Sequence, residues 1–311
     1  MTVGSDNTMQ WLRVFGVWDG TGANLSFLPS EPRDIGMAVA DKGLQDGDIE
    51  VSVTFDSEIA QSPRFSTMGA LMLRHAPQTN SYLTAGLGGY GAAYVIAVYR
   101  PSTEWQILGG VGSFNEIEAG RTYRLKTKML GPRVILSVDG IEVVNIELPA
   151  DLMLGSQLGL FAQGDNLVKF EDLTITAEKP RAFAIMEYAP EFDSLYRNVI
   201  EPIAQEQNLN MRRADEITGP GVIVQDIIRD IREATVIVAE VSSRNANVFY
   251  ELGYAEALNK PLVILSKKST ERLPFDIAGT RVVFYEDSIK GKQEIEEALR
   301  RHLQTILKGG S

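Results

Sequence analysis

Hydrophobic and polar positions change their rhythm once along this chain. As far as about residue 178 the apolar residues recur with period two, in short runs separated by turn residues. Examples are Ile49 to Phe55, Met68 to His75, Ala92 to Arg100, Glu104 to Gly112 and Thr122 to Leu130. Arg133 to Leu148, Gly159 to Gln163 and Val168 to Ala177 continue the series. Alternation of this kind marks half-buried strands. Asp139-Gly140 between two such runs is a type I′ hairpin signal. No helical period is visible here, so many short strands at regular spacing predict an all-β sandwich. Beyond Glu178-Lys179-Pro180, strands alternate with helical stripes. Strands are predicted at Ala182 to Glu187, Leu209 to Arg212, Thr235 to Val241, Leu262 to Leu265 and Arg281 to Tyr285. Helices are predicted at Phe192 to Glu206, Val222 to Glu233, Val248 to Leu258 and Lys292 to Leu307, with Leu195, Val199, Ile203 and Ile223, Ile227, Ile231 as core stripes. Such βα alternation implies a parallel sheet of about five strands with helices on both faces.

Ala234 to Pro261 is the richest segment. A β-branched strand runs into the polar loop Ser242-Ser243-Arg244-Asn245-Ala246, and a helix follows. Asn247 has the chemistry of an N-cap. A helix start just past the carboxyl end of a central strand is where open α/β sheets bind ligands. Glu251 falls near the first turn, where the helix dipole is expected to keep it ionised.

Six blocks in order resemble a TIR-like family of bacterial proteins related to nucleoside 2-deoxyribosyltransferases and TIR-domain NAD glycohydrolases. They are Phe183 to Tyr188, Phe192 to Ala204, Arg213 to Ile217, Asp226 to Ala234, Asn245 to Pro261 and Leu273 to Tyr285. The resemblance covers Arg181 to about Leu307. It implies a flavodoxin-like doubly wound fold over 181–308, and cleavage of an N-glycosidic bond in a nucleotide, NAD first, with Glu251 as the catalytic carboxylate. NAD is then a substrate, and no cofactor is implied. The alternatives are a nucleoside deoxyribosyltransferase or hydrolase, and a nucleotide-binding scaffold without turnover. Where the family has proline and aspartate, this chain has Glu187 and Glu240. The resemblance also implies assembly into homo-oligomers and a bacterial antiviral defence setting.

An oxocarbenium-like transition state needs a carboxylate beside the sugar, donors for its hydroxyls and dry walls. Around Glu251 the candidate substrate contacts are Asn247, Glu240, Tyr188, Tyr254, Ser243, Arg244 and Asp215. Each also has an ordinary reading. Asn247 caps a helix, Glu240 is a solvated loop acid, Tyr188 and Tyr254 pack, Arg244 is a surface cation, and Asp215 caps a loop. Thr218-Gly219-Pro220-Gly221 opens a helix; a simple turn is its favoured reading, and free N–H groups for a phosphate the alternative.

Residues 1–178 resemble concanavalin A-like jelly rolls, over Gly120 to Thr176 above all. The resemblance implies a fold rather than an activity. No compact acid pair of a glycosidase stands out, so this region is expected to bind a ligand or partner and regulate the rest. Trp18, Tyr90, Tyr94 and Trp105 are its candidate exposed aromatics, with a place in the core as the alternative for each.

Composition narrows the field. The 311 residues carry a net charge of −11, against the basic stripe that nucleic acids or anionic membranes require. No apolar run reaches the ~18 residues of a spanning helix, and the start lacks the pattern of a secretion signal. Cysteine is absent, and His75 and His302 are the only histidines. Thiolate chemistry, the usual zinc sites and a Ser-His-Asp triad are therefore not expected, and a cytoplasmic setting is.

Overall fold

The computed structural model describes residues 9–56, 67–149, 152, 155–216, 223–268 and 282–307. The chain divides into two compact units, Met1–Glu178 and Lys179–Ser311.

The first unit is a sandwich of two seven-stranded antiparallel sheets. One has the order β1 (Trp11–Phe15), β4 (Asp34–Gly43), β13 (Gln157–Gly164), β6 (Met68–Ala76), β7 (Ser81–Gly88), β8 (Ala92–Arg100) and β9 (Glu104–Ser113). The other has β12 (Ile141–Glu147), β11 (Arg133–Val138), β10 (Thr122–Leu130), β5 (Asp46–Phe55), β14 (Val168–Glu178), β3 (Asn24–Leu28) and β2 (Val17–Thr21). In β5, Ile49, Val51, Val53 and Phe55 are buried while Glu50, Ser52 and Thr54 are half-exposed. This is the alternation of a sheet with one wet face. Strand β6 is buried on both faces. Leu71 and Leu73 enter the core between the sheets, while Met68, Ala70 and Met72 join a second cluster with Tyr82 and Phe161. Trp105 meets Phe161 edge-on at 5.3 Å and Tyr99 at a tilt, also at 5.3 Å, in that second cluster.

Sequence reading missed β1 to β4 and β7; Gly, Ser or Thr dilute the periodicity in all of these but β1, which is only five residues long. It found the β11–β12 hairpin: Asp139 and Gly140 have φ of 51° and 82°, the two left-handed residues of a type I′ turn. Trp18 is corrected. It is 3% exposed and packs on Phe27 and Phe170, while Tyr90 is exposed and Tyr94 and Trp105 are half-buried.

The second unit is a five-stranded parallel sheet in the order β16 (Asn210–Arg213), β15 (Arg181–Ile185), β17 (Val236–Glu240), β18 (Leu262–Lys267), β19 (Val282–Tyr285). Alternate residues of β15 point to opposite faces. Ala182 and Ala184 meet the first helical segment and the final helix α5 (Ile289–Leu307), while Phe183 and Ile185 meet α3 (Ile223–Glu233) and α4 (Ala246–Ala257). Both faces of the sheet are therefore covered, which explains the apolar runs of β15, β17 and β18. The helix predicted over Phe192 to Glu206 begins at Pro190 and is not uniform. It runs as α1 (Pro190–Leu195), a π-helical turn (Tyr196–Ile200) and α2 (Glu201–Glu206). Pro202 lies just after the π turn, and its missing N–H removes one α-helical bond. Strand β18 runs two residues past the predicted Leu265, to Lys267. The Thr218 to Gly221 loop, Glu271, Arg272 and Leu273 to Thr280 lie outside the described residues.

Candidate active site

Strand order reverses at β15: the chain passes to β16 on one side and then to β17 on the other. Loops leaving the carboxyl ends of neighbouring strands diverge at such a point and leave a crevice. Here the crevice is a cavity of about 520 Å³, within the size range of small-molecule sites. It is lined by Met186, Glu187 and Tyr188 after β15, by Ala214 and Asp215 after β16, by α3, and by Asn245 to Tyr254 on α4. Five of the sequence-predicted residues meet there: Glu251, Asn247, Tyr188, Tyr254 and Asp215.

Glu251 is half-buried at the sixth position of α4. Burial pushes its carboxyl up to about 7. The expectation that the dipole holds it ionised is thereby corrected. Dipole influence fades within the first turn, and loss of water costs the charged form more. Near neutral pH the group populates both states, the tuning expected of a catalytic carboxyl. Tyr188 lines the same cavity. Its phenol is pushed up to about 12, by burial first and then by the charges of Glu251 and Asp215. It therefore remains a hydrogen-bond donor at all ordinary pH.

The helix cap is Asn245, not Asn247. Its extended backbone (φ −64°, ψ 129°) leads into α4 and its side chain accepts from Asn247 N–H at 2.9 Å. Asn247 lies inside the first turn, which frees its amide to face the cavity.

Glu240, Ser243 and Arg244 do not line the cavity. Glu240 is neither a ribose contact there nor a solvated acid. It is fully buried at the end of β17, accepts from Ser242 N–H and Oγ–H, and accepts from the Tyr285 hydroxyl at 3.1 Å. Burial raises its pKa against the pull of those bonds. Ser242 Oγ in turn accepts from Lys267 N–H at 2.6 Å, so the buried carboxylate ties the β17–α4 loop to β18. Ser243 Oγ accepts from Asn245 N–H at 3.4 Å. Arg244 adopts φ of 54°, which turns the chain between that loop and the helix.

Sequence reasoning placed Tyr250 beside Glu251 without giving it a site role, and passed over Val224. Tyr250 is 63% exposed and Val224 51%, beside Tyr188 at 54%, and all three line the cavity. Their signal was available: an aromatic directly before Glu251, and a valine one position along from the α3 core stripe. Among the described lining residues stand four carboxylates, Glu187, Asp215, Asp226 and Glu251, and no Lys or Arg. No group of three or more metal-ligating side chains occurs among the described residues, and no helix there is long and apolar enough to cross a membrane.

No family model matches this chain. It is similar to 5-hydroxymethyl-dUMP N-hydrolase of Mus musculus, 27% identical over 121 residues, which are 37% of this chain and 68% of the mouse protein. Among solved structures it is similar to the carbohydrate binding module CBM66 from Bacillus subtilis, with a TM-score of 0.44 and 17% identity over 54% of this chain and 95% of that one. A Bacillus subtilis protein with a galectin-like fold gives a TM-score of 0.39 and 9% identity over 54% of this chain and 88% of that one. At these scores the sandwich rests on its own strand order and register.

Proposed function

We propose that the second unit hydrolyses the N-glycosidic bond of a nucleotide, with Glu251 as the carboxylate beside the sugar. The observation that carries this reading is the position of Glu251, half-buried in the crevice at the strand-order reversal and lifted to about 7. As the bond from C1′ to nitrogen breaks, its electron pair leaves with the base and positive charge grows on the sugar. The ionised Glu251 stabilises that charge or bonds to C1′. Water then adds to C1′, and its proton goes to the departed base or to solvent. Tyr188 O–H and the Asn247 amide serve as donors to sugar hydroxyls, and Tyr188 and Tyr250 as aromatic walls for the base. This reading groups the unit with the flavodoxin-like, TIR-like proteins that its sequence resembles.

Two substrates have support. A lining of four carboxylates without a cation suits NAD, whose nicotinamide ring is positively charged. The activity of the mouse relative favours a 2′-deoxynucleoside 5′-monophosphate with a modified uracil. Incubation of the full chain and its Glu251→Gln variant with NAD and with 5-hydroxymethyl-dUMP, followed by chromatography of the released bases, tests the reading. Release of nicotinamide or 5-hydroxymethyluracil by the wild type alone supports it and names the substrate. Release of neither base refutes it. Under the same reading the first unit is a binding module that governs the second through self-association, measured as turnover against particle mass over a range of concentrations.

A further inference from the structure

Arg213 closes β16 and is 1% exposed. Its Nε donates to Asp215 Oδ1 at 2.7 Å and its Nη2 to Asp215 Oδ2 at 2.6 Å, a two-pronged grip on one carboxylate. Nη2 also donates to Asp193 Oδ1 of α1 at 2.5 Å. The guanidinium lies over the Tyr196 ring at 4.5 Å and the Tyr188 ring at 5.5 Å, and its Nη1 has no hydrogen-bond partner among the described residues. The backbone N–H of Arg213 and the Tyr196 hydroxyl both donate to Glu216 Oε2, at 3.1 and 3.0 Å. Burial opposes the charge, yet the bonds to Asp215 and Asp193 outweigh it and hold the guanidinium above its ordinary pKa.

This is more than a surface ion pair. A carboxylate offers about four lone-pair positions, and the grip occupies one on each oxygen of Asp215. Asp215 is still 36% exposed and lines the cavity. Its remaining lone pairs are fixed in direction before any ligand arrives. We propose that Arg213 is a positioning residue, which sets Asp215 as a pre-oriented acceptor for sugar hydroxyls and holds the Tyr188 ring at the rim. The proposal rests on the nucleotide reading above for its ligand, but not for its geometry.

The test uses the full chain with Arg213→Lys, Asp215→Asn and the double variant. Lysine keeps the charge and loses the planar fork. On the substrate that is turned over, each single change raises KM about 10-fold, the scale of a lost charge-assisted hydrogen bond, with kcat unchanged. The double variant is no worse than either single one, because both remove the same contact. Multiplied effects, or a folded Arg213→Lys protein with the wild-type KM, overturn the proposal. A second readout needs no turnover. In protein labelled with 3-fluorotyrosine, the Tyr188 and Tyr196 fluorine signals, assigned with Tyr188→Phe and Tyr196→Phe, both move in Arg213→Lys. If they stay put, the positioning role is refuted whatever the substrate. If they move while the wild type cleaves no nucleotide, the geometry stands and only the reading of the substrate falls.

Discussion

Replacing Glu251 by glutamine separates the cost of its charge from the shape of its side chain. The folded chain holds this proton with a pKa of about 7 against an ordinary 4.5. The stability that the group contributes is thus fully present below the unfolded value of 4.5 and is lost as pH rises through about 7. Two and a half decades of proton affinity correspond to about 3 kcal/mol in full. Glu251 is only half-buried, and screening by water reduces this to about 1–2 kcal/mol. Glutamine keeps the shape and cannot ionise. The variant should match the wild type closely at pH 5 and exceed it above pH 7, with the second unit melting about 3–6 °C higher. Calorimetric melting of both proteins at pH 5, 6, 7 and 8 measures the gap, which should widen up to about 7 and then level. A gap that does not change with pH, or a variant less stable at pH 8, refutes the burial argument. Turnover by the same variant should fall at least ~10²-fold. A protein that becomes more stable as it loses activity is what a strained functional group predicts.

Four further outcomes are expected. Wild-type turnover should rise with pH through about 7 as Glu251 ionises and then hold; a flat profile from pH 5.5 to 8 would count against the carboxylate. Tyr250→Ala should raise KM about 10-fold without lowering kcat, the scale of one lost base-stacking contact; an unchanged KM removes Tyr250 from the base site. Asn245→Ala should cost the second unit about 1 kcal/mol in denaturant titration through loss of the cap, and no loss would return the cap to Asn247. Limited proteolysis should cut first near Lys179, between the two units; a first cut inside β17 to β18 would contradict that division.

Much of the second unit was legible because its signals are local. Strand β17 is apolar up to its terminal Glu240, the helix stripes keep their spacing, and Asn, Gly and Pro mark the ends of elements. Glu251 was legible for the same reason. Its protonation was not, since that depends on the cavity it shares with α3 and the segment after β15, and spacing along one segment does not report what packs beside it. Glu240 misled for the converse reason. In sequence it sits at the end of a strand like an active-site acid, but Ser242 and Tyr285 turn it inward. In the first unit, β5 and β10 alternate cleanly because one face meets water. Strand β7, buried along its whole length, carries no alternation to read.

The two-unit architecture also has a spectroscopic consequence. The chain has three tryptophans, Trp11, Trp18 and Trp105, and all three lie in the sandwich. Every helix of eight residues or more among the described residues lies in the α/β unit. Indole emission therefore follows one half of the molecule, and far-ultraviolet circular dichroism at the helical bands mainly follows the other. Buried Trp18 and Trp105, which is packed edge-on against Phe161, should redden as the sandwich opens. If the two signals fall together on heating, the halves unfold as one cooperative body; if they separate, each half has its own stability. A ligand added in either case would reveal which half it binds by which signal it delays.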